Sequence, residues 1–125
     1  MIPASLGATV LFIEDPQRSK EFYERAFGLT AVNEDDDSVT FRFDNTLVHL
    51  LRRESAQQQV APAQPGRAPC CMLTIWVEDA DAACAELRER AVELVNGPVD
   101  QPWGIRAAIF ADPDGHLWEV AAQLS

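Results

Sequence analysis

Two short stretches each set one reactive side chain among apolar neighbours. "DGHLWEV" carries Glu119, and "DNTLVHL" carries His49. A carboxylate or an imidazole in an apolar strand either reaches solvent or looks into a pocket where it has a task. As a pair, Glu119 and His49 have two uses. They could satisfy each other's hydrogen bonds inside a closed core. They could instead line a pocket and orient a ligand, or act there as acid and base.

Other side chains extend the candidate site. Phe12 and Trp76 stand 64 positions apart, at matching places in two similar segments, so they could stack a planar ligand from two sides or pack in the core. In "QPWGIRAAIF", Trp103 and Arg106 flank Gly104 where the chain enters a strand. An Arg beside a Trp suits an anionic or aromatic ligand, and equally a surface loop contact. Cys70 lacks a basic or His neighbour in sequence that would lower its pKa, so nucleophilic use is not expected. His116, directly after a turn, is expected to be solvent-exposed, and Glu34 to Asp37 to form a solvated hairpin tip. The sequence holds no Gly-rich phosphate loop, nucleophile elbow or Ser-His-Asp ordering.

The elements that must position these residues form a repeat. "VLFIEDPQRSKEFYERAFGL" and "TIWVEDADAACAELRERAVEL" both run from an apolar strand through Glu-Asp into a helical pattern, and Glu14 and Glu78 give the offset of 64. Asp15 and Asp79 are good N-caps, because a short carboxylate accepts from the unpaired amides of the first turn. Pro16 suits the first helical position and Gly28 the stop. Ser19, Phe22, Tyr23 and Ala26 form one helical stripe, and Ala80, Ala83, Cys84, Leu87 and Ala91 the other. Downstream, the turns at Asp44-Asn45 and Asp114-Gly115 repeat at an offset of 70, which sets His49 opposite Glu119. Each half therefore reads strand, helix and three strands. The predicted strands lie near 8–14, 30–34, 38–43 and 46–52, then near 71–77, 93–96, 105–111 and 115–122. The result is one domain over 1–125, with modules at 1–53 and 70–125. The linker at 54–69, "ESAQQQVAPAQPGRAP", shows no periodicity and reads as a loop.

Bulk properties narrow the partners. The 125 residues suffice for a core without metal or disulfide support. Twenty acidic against ten basic side chains give a formal charge of −10, which argues against nucleic acid and suits a cationic small ligand. Three cysteines without a CxxC spacing read as a reduced, cytoplasmic protein. "MIPASLGATVLFIED" has neither a basic start nor a long apolar run, so neither a signal peptide nor a membrane span is expected.

The repeat resembles the vicinal oxygen chelate superfamily, which includes glyoxalase I, extradiol dioxygenases, bleomycin-resistance proteins and related epimerases. The resemblance covers essentially the whole chain and is most specific in "FIEDPQRSKEFYERAFGL" and "FADPDGHLWEVAAQ". It implies an α+β fold in which two tandem βαβββ modules form a cupped mixed sheet with helices outside. It also implies a homodimer, to which "MIPASL" could contribute. Family enzymes hold a divalent metal through positions that fall here at Ala8, His49, Met72 and Glu119. Ala8 has no donor atom, and the Met72 thioether suits Cu(I) rather than harder ions. Four-ligand zinc sites are worth roughly 10–16 kcal/mol. Half of that leaves about micromolar to sub-millimolar affinity, and catalytic zinc keeps at least three protein ligands.

If Ala8 and Met72 face the cup, strand alternation brings Val10, Phe12, Thr74 and Trp76 with them, and also Leu47, His49, Leu51, Leu117, Glu119 and Ala121. Val48, Leu50, Trp118 and Val120 then face the helices. A mainly apolar lining with one imidazole and one carboxylate is the usual make-up of a small-molecule pocket. With two ligand positions missing, the resemblance to the bleomycin-resistance type implies metal-independent binding of a small planar or aromatic, antibiotic-like ligand in the cup. The expected pocket comprises Phe12, His49, Met72, Trp76, Trp103, Arg106 and Glu119, with no cofactor. The alternative is a lyase, isomerase or dioxygenase of the glyoxalase type on a reduced divalent-metal site, or metal-free proton transfer by His49 and Glu119. A third class is a structural module whose cup is filled by its own side chains.

Overall fold

In the computed structural model, which describes residues 1–124, the chain divides into two compact units, Met1–Arg67 and the remainder from Ala68. The first unit runs β1 (Ala8–Ile13), α1 (Pro16–Phe27), β2 (Asn33–Glu34), β3 (Ser38–Arg42), β4 (Leu47–Arg52) and α2 (Arg53–Val60). The second runs β5 (Met72–Trp76), α3 (Ala80–Glu89), β6 (Leu94–Gln101), β7 (Ile105–Ala111) and β8 (Leu117–Gln123). Each unit builds a four-stranded mixed sheet, in the orders β1-β4-β3-β2 and β5-β8-β7-β6. The first strand of each unit pairs in parallel with the last, and the other pairs are antiparallel. This is the α+β architecture of two βαβββ modules implied by the repeat.

The helices form where the caps dictate. Asp15 Oδ1 accepts from the Gln17 and Arg18 amides at 3.0 and 3.4 Å, and Asp79 Oδ1 from the Ala82 amide at 3.1 Å. Gly28 closes α1 in the left-handed region at φ 66°, donating its N–H to Glu24 O. Ser19, Phe22, Tyr23 and Ala26 form the buried stripe of α1, and the Tyr23 ring lies 5.8 Å from that of Phe41 on β3. On α3 the buried set is Ala80, Cys84 and Leu87. Ala91 instead sits exposed beyond the helix, at φ 61°.

Three element boundaries depart from the sequence reading. α2 replaces the first part of the expected loop. Its Glu, Ala and Gln residues have good helix propensity, and its single buried anchor, Ala56, is too little to register as a period. The second strand shrinks to Asn33–Glu34, while β6 runs on to Gln101 through Gly97 and Pro98. β6 tolerates these residues because it is an edge strand with register shifts at that point.

Alternation along the strands separates two faces in each sheet. Val48, Leu50, Trp118 and Val120 are buried on the helix side. On the opposite face Val10, Met72 and Trp76 are exposed.

Candidate functional site

In the first unit, β4 sets His49 between Val10 of β1 and Thr40 of β3. Thr40 Oγ1 lies 2.7 Å from His49 Nδ1, and the threonine is buried. A hydroxyl can donate or accept, so this contact holds the ring in either tautomer and leaves Nε2 as its other polar atom. Ala8 and Phe12 lie on the same face of β1 as Val10. Ala8 is exposed and Phe12 half-buried.

In the second unit, β8 sets Glu119 between Thr74 of β5 and Ile109 of β7. Thr74 Oγ1 donates to Glu119 Oε1 at 2.8 Å. Met72 and Trp76 flank Thr74 on the same face, 47% and 61% exposed. Ile105, Ala107 and Ala121 form a small buried cluster on this face, so its floor is apolar. The face thus offers two large exposed apolar side chains around one anchored carboxylate.

One expected pocket residue lies on the other face of its sheet. Arg106 cannot join Glu119, because the pairing of Ile109 with Glu119 puts 105, 107 and 109 on the Glu119 face and 106 on the other. There its guanidinium donates to Asp100 Oδ1 at 3.0 Å and to Asp81 Oδ1 of α3 at 3.1 Å. These hydrogen bonds raise its pKa further and occupy the group. Trp103 stands 68% exposed in the turn between β6 and β7. His116 also differs from expectation. It is buried, since the turn folds its backbone against Asp112, which accepts the His116 N–H on Oδ1 and donates its own N–H to His116 O. The acidic tip is only partly solvated: Asp37 pairs with Arg52 and Glu34 with Lys20.

The two threonines are the site residues not singled out from the sequence. Thr74 was legible as a neighbour of Met72 and Trp76 on one face. Thr40 was legible from the hairpin around Asp44-Asn45, whose register sets it across from His49.

The positions corresponding to the metal ligands of similar enzymes do not fit a hard or borderline divalent ion. Ala8 supplies no donor and Met72 only a soft thioether. His49 and Glu119 each already spend one atom on a threonine. Among the described residues no three His, Cys, Asp or Glu side chains gather as a metal-binding group. One cleft, of about 230 Å³, lies at Asp15, Glu34 and Asp36, and another at Arg88, Val92 and Gly97. Among the described residues no helix is long and apolar enough to cross a membrane.

A family model described as the Glyoxalase/Bleomycin resistance protein/Dioxygenase superfamily matches residues 5–120. The chain is 31% identical over 116 residues to the Anthracycline biosynthesis protein DnrV of Streptomyces peucetius. That match takes in 85% of this chain but 42% of the relative, so the chain spans less than half of the relative's length. Among solved structures, a glyoxalase-related enzyme from Fulvimarina pelagi superposes with a TM-score of 0.85 at 22% identity, over 97% of this chain and 89% of that one. A glyoxalase/bleomycin resistance protein/dioxygenase from Nocardioides gives 0.84 at 24% identity, over 100% and 87%. At those identities the likeness speaks for the fold. With the family model spanning nearly the whole chain, the protein belongs to the glyoxalase/bleomycin resistance protein/dioxygenase superfamily.

Proposed function

We propose that this protein binds a small planar, aromatic molecule without a metal, using the exposed face of its second sheet. The observation that carries the reading is the pair Trp76 and Met72, 61% and 47% exposed, on either side of Thr74 and next to Glu119. Water is a poor partner for such side chains. Covering one face of the Trp76 ring, roughly 100 Å², contributes roughly 2–3 kcal/mol before the costs of association. The Met72 thioether adds a polarizable contact to a ring. The missing donor at Ala8 and the soft one at Met72 support independence from metal. The likeness to a protein of anthracycline biosynthesis supports a fused-ring ligand, since the anthracycline skeleton contains a planar anthraquinone. The proposal includes a cytoplasmic homodimer, supported by three free cysteines and by exposed Met1, Ile2 and Leu6.

Titration with a soluble anthraquinone, followed by calorimetry with and without a chelator, tests the reading. The expected result is saturable binding that the chelator leaves unchanged and that Trp76→Ala weakens about tenfold, the equivalent of ~1.4 kcal/mol. Near-stoichiometric Fe, Zn, Mn or Ni in protein purified without chelator would overturn it. So would turnover of a hemithioacetal or a catechol that the chelator abolishes.

A further inference from the structure

Several carboxylates of this chain are already spent on cationic side chains. Glu14 pairs with Arg53 and Arg67, Glu34 with Lys20, Asp37 with Arg52, Glu86 with Arg90, and Asp81 and Asp100 with Arg106. Glu119 differs. It is half-buried in mid-strand, and among the described residues its only partner is the Thr74 hydroxyl on Oε1. No Lys, Arg or His side chain of the described residues pairs with it, and Oε2 has no hydrogen bond there.

The strand register makes this carboxylate unavoidable for a ligand on the face. Met72, Thr74 and Trp76 follow one another along β5, opposite Leu117, Glu119 and Ala121 of β8. A ring system resting on both Met72 and Trp76 spans about 13 Å of strand. It must lie over Thr74 and strip water from Glu119. A neutral ligand would leave an ionised carboxylate desolvated and unpaired, which is costly; a ligand that brings a positive charge removes the cost and gains a charge-assisted hydrogen bond.

From this we infer that the ligand is an organic cation, a planar aromatic bearing a protonated amine that Glu119 Oε2 receives while Trp76 and Met72 hold the ring. Thr74 fixes the carboxylate by occupying Oε1, so the free oxygen sets where the ammonium sits. The formal charge of −10 acts in the same direction, enriching cations around the protein before contact. The inference rests on the proposed aromatic binding site and adds the charge of its ligand.

A matched pair of probes separates the two claims: an aminoalkyl-anthraquinone and its N-acetylated form, which keeps the ring and loses the charge. The native protein should bind the amine about tenfold more tightly at low salt, and the gap should narrow as salt rises. Glu119→Gln should bring the amine down to the affinity of the acetylated probe and leave the latter unchanged or improved. Glu119→Asp should restore part of the preference, which guards against a folding artefact in the Gln variant. Trp76→Ala should weaken both probes alike. Equal affinity of the two probes for the native protein, or a preference that survives in Glu119→Gln, overturns the cation while leaving the aromatic site standing. Failure of both probes to bind the native protein overturns both claims.

Discussion

Thr40 and Thr74 convert two isolated polar side chains into oriented ones, and each does so with one hydrogen bond that leaves a second polar atom available. His49 and Glu119 were legible in the sequence because an apolar strand with period two exposes any polar intruder. Arg106 was misplaced because its neighbours in "IRAAIF" give no polar alternation; only pairing with β8 fixes its face. Backbone geometry at single residues was also hidden. Gly97 has φ +84°, and a Cβ there would lie 2.5 Å from Ala107 O and 2.8 Å from Ala108 Cα. Both are backbone atoms of β7, the strand that carries Ile109 beside Glu119. Gly104 has a similar φ of +89° but open space around it. Gly97→Ala should therefore cost about 2–4 kcal/mol in urea unfolding, strain and displacement together, whereas Gly104→Ala should cost about 1 kcal/mol from backbone strain alone. Equal costs would show that β7 yields to the added methyl.

At the scale of elements, the repeat was readable because caps and turns are short-range chemistry. Asp15, Gly28, Asp79 and the two turn dipeptides act within four residues of themselves, and each forms the boundary expected of it. α2 was not readable, because its place depends on contacts distant in sequence. Arg53 reaches Glu14 at the end of β1 and the carbonyl of Gly66, and Ala56 is fully buried. A polar segment with one small anchor gives no hydrophobic period, and tertiary contacts decide its state. The caps also rank the two repeat helices. Asp15 accepts from two amides and Asp79 from one. Asp15→Ala should cost about 1–2 kcal/mol and Asp79→Ala about 1 kcal/mol or less, read from chemical denaturation. The reverse order would show that the hydrogen-bond count at the cap does not set its worth here.

For the molecule as a whole, charge and apolar surface pull in opposite directions, and salt separates them. A homodimer would bring together two chains that each carry a formal charge of −10. Its driving force must be apolar, and the exposed Met1, Ile2, Leu6 and Val10 supply that kind of surface next to β1, an edge strand of its sheet. Like charges repel across the approach, and salt screens them, with a Debye length falling from about 30 Å at 0.01 M to about 10 Å at 0.1 M. Dimerisation should therefore tighten as salt rises. Binding of a cationic ligand at Glu119 should loosen over the same range, because there the screened interaction is attractive. Sedimentation at micromolar concentration and about 0.15 M salt should report twice the 13.8 kDa of the chain, shifting toward the single-chain mass as salt is removed. A 13.8 kDa species at every salt concentration would end the dimer proposal. A dimer that loosened as salt was added would be held by opposite charges rather than by the apolar N-terminal surface, and Leu6→Glu would then leave it intact instead of breaking it.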